Sequence, residues 1–112
     1  MRIIVHLKYK NQEGTILQLV KTFFEEGDLI VKGSRNIIKS NFLGTIKVNI
    51  KFFQKPGLIK AIIYSFFRDT KAKRSFDYAN YLLKHNINTP FPIAFVEERS
   101  IFGFLANSFY FC

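Results

Sequence analysis

The chain contains no tryptophan and one cysteine, Cys112, at its last position. No internal disulfide can form, and no metal site can be built from cysteine, so a reducing compartment fits. His6 and His85 lie far apart without ligand spacing. No apolar stretch approaches the ~18 residues that span a bilayer, and the apolar run before Lys8 is too short for a signal peptide. The expectation is a chain that is soluble or sits at a membrane surface. Catalytic sets are missing too: there is no Ser/His/Asp arrangement, no G-x-S-x-G and no phosphate-binding P-loop. Glu25-Glu26 and Glu97-Glu98 are adjacent pairs, and neighbours on a strand point to opposite faces.

Acid is missing from one long region. Between Leu29 and Arg68 there are eight bases (Lys32, Arg35, Lys39, Lys47, Lys51, Lys55, Lys60, Arg68) and no Asp or Glu. Such a field attracts nucleotides, anionic lipid head groups or nucleic acid, and it also serves as a solvated solubilising surface. The whole chain carries a net charge of +9 on 112 residues, of which 48% are apolar and 14 are Phe. That length predicts a single domain with enough apolar material for a core. So many Phe residues leave some for an exposed patch.

Residues 1–9 alternate and are β-rich, which predicts a strand. Ile16, Leu17, Leu19, Val20, Phe23 and Phe24 recur at helical spacing from Asn11 onward, and Gly27 supplies a C-terminal stop. Strand patterns follow at 28–32, 36–42 and 45–53, separated by turn residues at 33–35 and 43–44, so an antiparallel meander is expected. Residues 57–68 read as a helix with Lys60, Tyr64 and Arg68 as its only polar stripe. It is buried against protein or lies on a membrane with Lys60 and Arg68 at head groups. Residues 70–86 form a second helix, capped by Thr70 and ended by Asn86 in the left-handed conformation. After the stiff Thr89-Pro90-Phe91-Pro92 connector, 92–98 and 106–112 read as strands joined around Arg99 to Gly103.

The basic helix start Lys71-Ala72-Lys73-Arg74-Ser75, followed by Ile87-Asn88-Thr89-Pro90-Phe91-Pro92 and a strand, resembles the end of the small lobe in the lipopolysaccharide kinases. Those enzymes have a protein-kinase-like fold and phosphorylate Kdo or heptose in the lipopolysaccharide inner core. The resemblance covers roughly residue 28 to the end. It implies an α+β small lobe over 28–112, an antiparallel five-stranded sheet with a long packed helix. Residues 1–27 would be a strand-helix extension.

By the same resemblance, Lys51 on the third meander strand clamps nucleotide phosphates, with Lys47 on the same face by the period of two. From spacing alone both are ordinary solvent-face lysines. The carboxylate that positions such a lysine falls on Asp77, the only acid on the following helix, although counting back from Pro90 puts Ser75 there instead. The nucleotide-covering turn falls on Gly33-Ser34-Arg35, with one glycine where kinases carry several, which makes an ordinary hairpin as good a reading. Lys71, Lys73 and Arg74 crowd a helix start, against the dipole, as a contact for an anionic substrate, a membrane or a second lobe. Lys60 and Arg68 join that set.

ATP and Mg²⁺ are the cofactors implied, with a lipopolysaccharide core precursor as acceptor at the cytoplasmic face of the inner membrane. The catalytic Asp and Asn and the metal-binding Asp would come from a large lobe after Cys112, so the chain alone is expected to be inactive. The alternative is a small basic α+β module that binds nucleic acid through Phe residues interleaved with Lys and Arg, or an anionic membrane surface.

Overall fold

Alternation along one central strand, residues 46–53, shows how this chain layers. Val48, Ile50 and Phe52 point to one side of the sheet, while Lys51 and Phe53 point to the other. The computed structural model describes residues 2–54, 57, 63, 69–99 and 105–112. In chain order these form β1 (Arg2–Val5), a 3-10 turn (Leu7–Gln12), α1 (Glu13–Lys21), β2 (Asp28–Lys32), β3 (Asn36–Leu43) and β4 (Ile46–Phe53). Then come α2 (Lys71–Lys84), β5 (Ala94–Arg99) and β6 (Leu105–Phe111). The helix expected over 57–68, including Lys60 and Arg68, lies outside the described residues except for Gly57 and Ile63. So does most of the loop expected from Arg99 to Gly103.

The class is α+β, built on an antiparallel sheet of six strands in the order β1-β5-β6-β4-β3-β2. This corrects the expected five-stranded sheet with an appended strand and helix. β1 pairs with β5 over Arg2 to Val5 and becomes one edge of the same sheet. It is also shorter than the alternating pattern to Tyr9 suggests. The His6 amide still reaches the Ile93 carbonyl at 2.8 Å, but the next residue of the partner segment is Pro92, which has no N–H to continue a ladder. The chain therefore turns. The His6 ring accepts from the Lys8 amide at 3.1 Å and opens the 3-10 turn, so α1 starts only at Glu13.

Helices cover both faces, giving three layers. Ile16, Leu19 and Val20 of α1, with Phe23 just beyond it, pack on Val48, Ile50, Phe52, Val96, Phe109 and Phe111. On the other face Ala72 and Phe76 of α2 pack on Phe95 and Tyr110. The segment just after α1 is held by the Lys39 ammonium, which donates to the Phe23 and Glu26 carbonyls at 2.5 and 3.2 Å. A cation there complements the negative end of the helix dipole. Gly27 then reverses the chain at φ +92°, where an added Cβ would meet the Ser40 carbonyl oxygen at 3.0 Å.

α2 has both expected ends. The Thr70 hydroxyl accepts from the Lys73 amide at 3.1 Å, satisfying one of the free donors of the first turn. At the other end Asn86 sits at φ 59° and the Ile87 amide reaches back to the Leu82 carbonyl at 2.9 Å, a Schellman-type closure.

Candidate functional site

Strand pairing carries one row of side chains across the α2 face of the sheet. Ile4 lies opposite Phe95, Phe95 opposite Tyr110, Tyr110 opposite Lys51 and Lys51 opposite Ile38. Lys51 is the charged member of that row. Its ammonium lies 5.9 Å from the centre of the Tyr110 ring, within cation–π range. Ser75, Tyr78, Ala79 and Leu82 of α2, with Pro90 and Cys112, wall a cleft of about 200 Å³ beside it.

The floor of this cleft is uncharged at neutral pH. Burial pushes the Tyr110 phenol well above its ordinary range, with the Cys112 sulfur adding to the rise. Burial also raises the Cys112 thiol, and the positive charge of Lys51 opposes that rise. Lys51 is thus the cation at the mouth of a mostly apolar cleft. α2 lies over β5 and β6 and reaches β4. On the rest of this face Val31 and Phe42 are exposed, Ile38 is half-buried, and Lys47 stands on the same side as Lys51.

Asp77 is not brought to Lys51. Its carboxylate pairs with Lys73 on its own helix at 2.5 Å. The reason is helical geometry: Ser75 and Leu82 flank the Lys51 cleft, and a residue two positions after Ser75 sits about 160° around the helix from it. Of the two positions open in the sequence, Ser75 is the one that lines the cleft. Lys73 also pairs with Asp69 at 3.3 Å, and these bonds, with Asp77 the larger contributor, raise its pKa against some desolvation. The positive charge at this helix start is therefore partly neutralised within the helix. Lys71 is exposed, and the Nε–H of Arg74 is buried without a hydrogen-bond partner.

Gly33, Ser34 and Arg35 are all exposed in a tight hairpin closed by the Gly33 amide donating to the Asn36 carbonyl at 2.8 Å. A turn this short presents the Ser34 and Arg35 side chains at the sheet edge and no broad arch of free amides. Of the Phe residues that could form a stacking surface on these strands, Phe52 is in the core and Phe42 is exposed.

No protein-family model, curated protein or solved structure matches this chain.

Sequence reasoning missed Glu97. It is 1% exposed on β5, on the α2 face, where it accepts a 2.6 Å hydrogen bond from the Thr70 hydroxyl. Arg2 and Arg99 approach its other oxygen at 3.5 Å. The period of two does put Glu97 on the same face as Phe95, but nothing local says that a helix N-terminus will cover it. Among the described residues no group of three His, Cys, Asp or Glu side chains could hold a metal ion. No described helix is long and apolar enough to cross a membrane.

Proposed function

We propose that this chain is the nucleotide-holding small lobe of a phosphotransferase of the lipopolysaccharide-kinase type. In this reading Lys51 holds the phosphates, and catalytic groups come from a second lobe. The observation that carries it is the position of Lys51 on the inner strand β4, aimed to the α2 side at the mouth of an apolar cleft. Supporting it is the order of elements: three antiparallel strands, one long helix, then two strands that insert as β4-β6-β5. In kinases the corresponding strand carries the phosphate-clamping lysine. On the part of this face away from α2, exposed Val31 and half-buried Ile38 offer apolar surface for a base while the ammonium meets phosphate.

The lysine acts here without a carboxylate from α2. With Asp77 held by Lys73, Lys51 works as a point charge on the nucleotide. The acceptor under this reading is a sugar of the lipid-anchored core, phosphorylated at the cytoplasmic membrane face.

Titration of ATP into the purified 112-residue chain, followed by calorimetry, tests the assignment. Binding is expected, weakened at least about ten-fold by Lys51→Met, the loss that one charge-assisted contact represents. Phosphoryl transfer to a core sugar by this chain alone is expected to be undetectable. ATP binding that ignores Lys51→Met, or no binding at all, would sink the reading.

A further inference from the structure

Next to the Lys51 cleft α2 carries a second constellation, which shares Ser75 and Tyr78 with the cleft wall and extends away from it through Tyr81 and His85. Tyr78 and Tyr81 are 64% and 57% exposed, and their rings stack at 6.3 Å between centroids with an interplanar angle of 15°. The His85 ring follows at 4.3 Å from Tyr81. Three aromatic side chains thus form one exposed ladder along the helix. Two large tyrosines side by side in solvent bury little apolar area against their own protein, so the folded chain gains little from them.

At the N-terminal end of the ladder lies a hollow of about 600 Å³ lined by Asp69, Arg74, Ser75, Asp77, Tyr78 and Tyr81. Arg74 leaves a buried Nε–H without an acceptor, which costs free energy until something supplies one. Asp69 and Asp77 would repel an anion, but both are bonded to the Lys73 ammonium. That one ammonium offsets one of the two carboxylates, and Lys71 and Arg74 leave this end with a small positive excess, within a chain of net charge +9.

Flat exposed rings in series beside guanidinium and ammonium groups are the two components by which single-stranded nucleic acid is held: bases stack on the rings and phosphates meet the cations. We propose that the Tyr78–Tyr81–His85 face, with Arg74 and Lys71, binds single-stranded nucleic acid. One base stacks on the tyrosine pair. The adjoining phosphate draws the Arg74 guanidinium outward and gives its Nε–H an acceptor. This site adjoins the Lys51 cleft, sharing Ser75 and Tyr78 with its wall, but does not include Lys51. It is also on a different element from the strand phenylalanines that the acid-free region suggests, where Phe52 is consumed by the core.

The test uses the full chain and a fluorescein-labelled oligo(dC) of about 12 nucleotides, within the usual site size, read by fluorescence anisotropy at two salt concentrations. Binding is expected and falls with salt. Tyr78→Ala with Tyr81→Ala weakens it at least about five-fold, the loss of one stacked base, while Tyr78→Phe with Tyr81→Phe keeps it. Arg74→Gln weakens it and flattens the salt dependence. Lys51→Met leaves it unchanged, so failure here and failure of the nucleotide reading are told apart. Both tyrosines are exposed, and circular dichroism checks that each variant is folded. The proposal is overturned by no binding to the native chain, or by a folded double Ala variant within two-fold of native. Equal loss on Lys51→Met overturns it as well. So does tyrosine-dependent binding to phosphatidylglycerol vesicles with no oligonucleotide binding, which assigns the face to a membrane instead.

Discussion

Replacing Glu97 by alanine is expected to cost about 3–5 kcal/mol, although Glu97 lies in none of the motifs legible in the sequence. The figure is built from three losses. Thr70 loses the acceptor of its 2.6 Å hydrogen bond to a charged oxygen, worth about 1.5–3 kcal/mol. The buried methylenes of the Glu97 side chain add about 1 kcal/mol of lost burial. Arg2 and Arg99 lose a partner, but their side chains are 49% and 25% exposed, so solvent screening holds that loss to a few tenths of a kcal/mol each.

Glu97→Gln keeps an acceptor for Thr70 and sheds the cost of burying a charge, so it is expected to cost only about 1 kcal/mol. Thr70→Val removes the helix cap and leaves the carboxylate without its short bond, for about 3–4 kcal/mol. Because the two residues share one interaction, the double variant Thr70→Val with Glu97→Ala falls short of the sum by at least about 1.5 kcal/mol. Urea unfolding followed by far-UV circular dichroism reads these values. With a slope of about 1–3 kcal/mol per molar urea, a 3 kcal/mol loss moves the midpoint by roughly 1–3 M. Strict additivity of the two single variants would refute the claim that Glu97 anchors α2 through Thr70. A Glu97→Ala cost below about 1 kcal/mol would refute the burial argument itself.

Two further outcomes follow from the same geometry. Gly27→Ala should destabilise the chain by more than about 1 kcal/mol, since φ +92° is strained for an L side chain and its Cβ would press on the Ser40 carbonyl oxygen; a midpoint unchanged in urea would contradict this. Alkaline stability should fall as the pH rises from about 9, because Cys112 and Tyr110 have folded pKa values raised above their ordinary 9.0 and 10.0. Between the unfolded and folded values the native state holds the extra proton, so stability is whole below pH 9 and drops by up to about 1.4 kcal/mol per pH unit for each group. Thermal melts of the native chain and of Tyr110→Phe across pH 8–11 check this, and the Phe variant should show the shallower decline.

Local pattern was enough for much of the fold. Thr70 and Asn86 bracket α2 because cap chemistry is written in single residues, a hydroxyl before the first turn and a side chain that tolerates positive φ after the last. The turn at Gly44 is legible for the same reason, whereas Gly27, expected to stop the first helix, lies beyond its end: α1 finishes at Lys21 with Thr22 as its cap. The period of two put Lys47 and Lys51 on one face, and the register agrees. What local pattern could not supply is partnership. The run to Tyr9 alternates like a strand, yet it ends at Val5 because Pro92 sits in the segment beside it, far away in sequence.

The candidate site divides along the same line. That Lys51 is a strand lysine, and that Asp77 is the only acid on the helix after it, are statements about one segment at a time, and periodicity determines them. Whether the two meet depends on the rotation of α2 about its own axis, which is set by Ala72 and Phe76 packing onto the sheet. That packing turns Ser75 toward Lys51 and Asp77 toward Lys73. Glu97 shows the converse, a charge whose burial arises only when a helix N-terminus is laid across its strand. Short-range chemistry chose the elements and their ends, because caps, turns and alternation act within a few residues. Only the tertiary structure decided which charges meet and which are buried, because those depend on packing between segments that the sequence keeps apart.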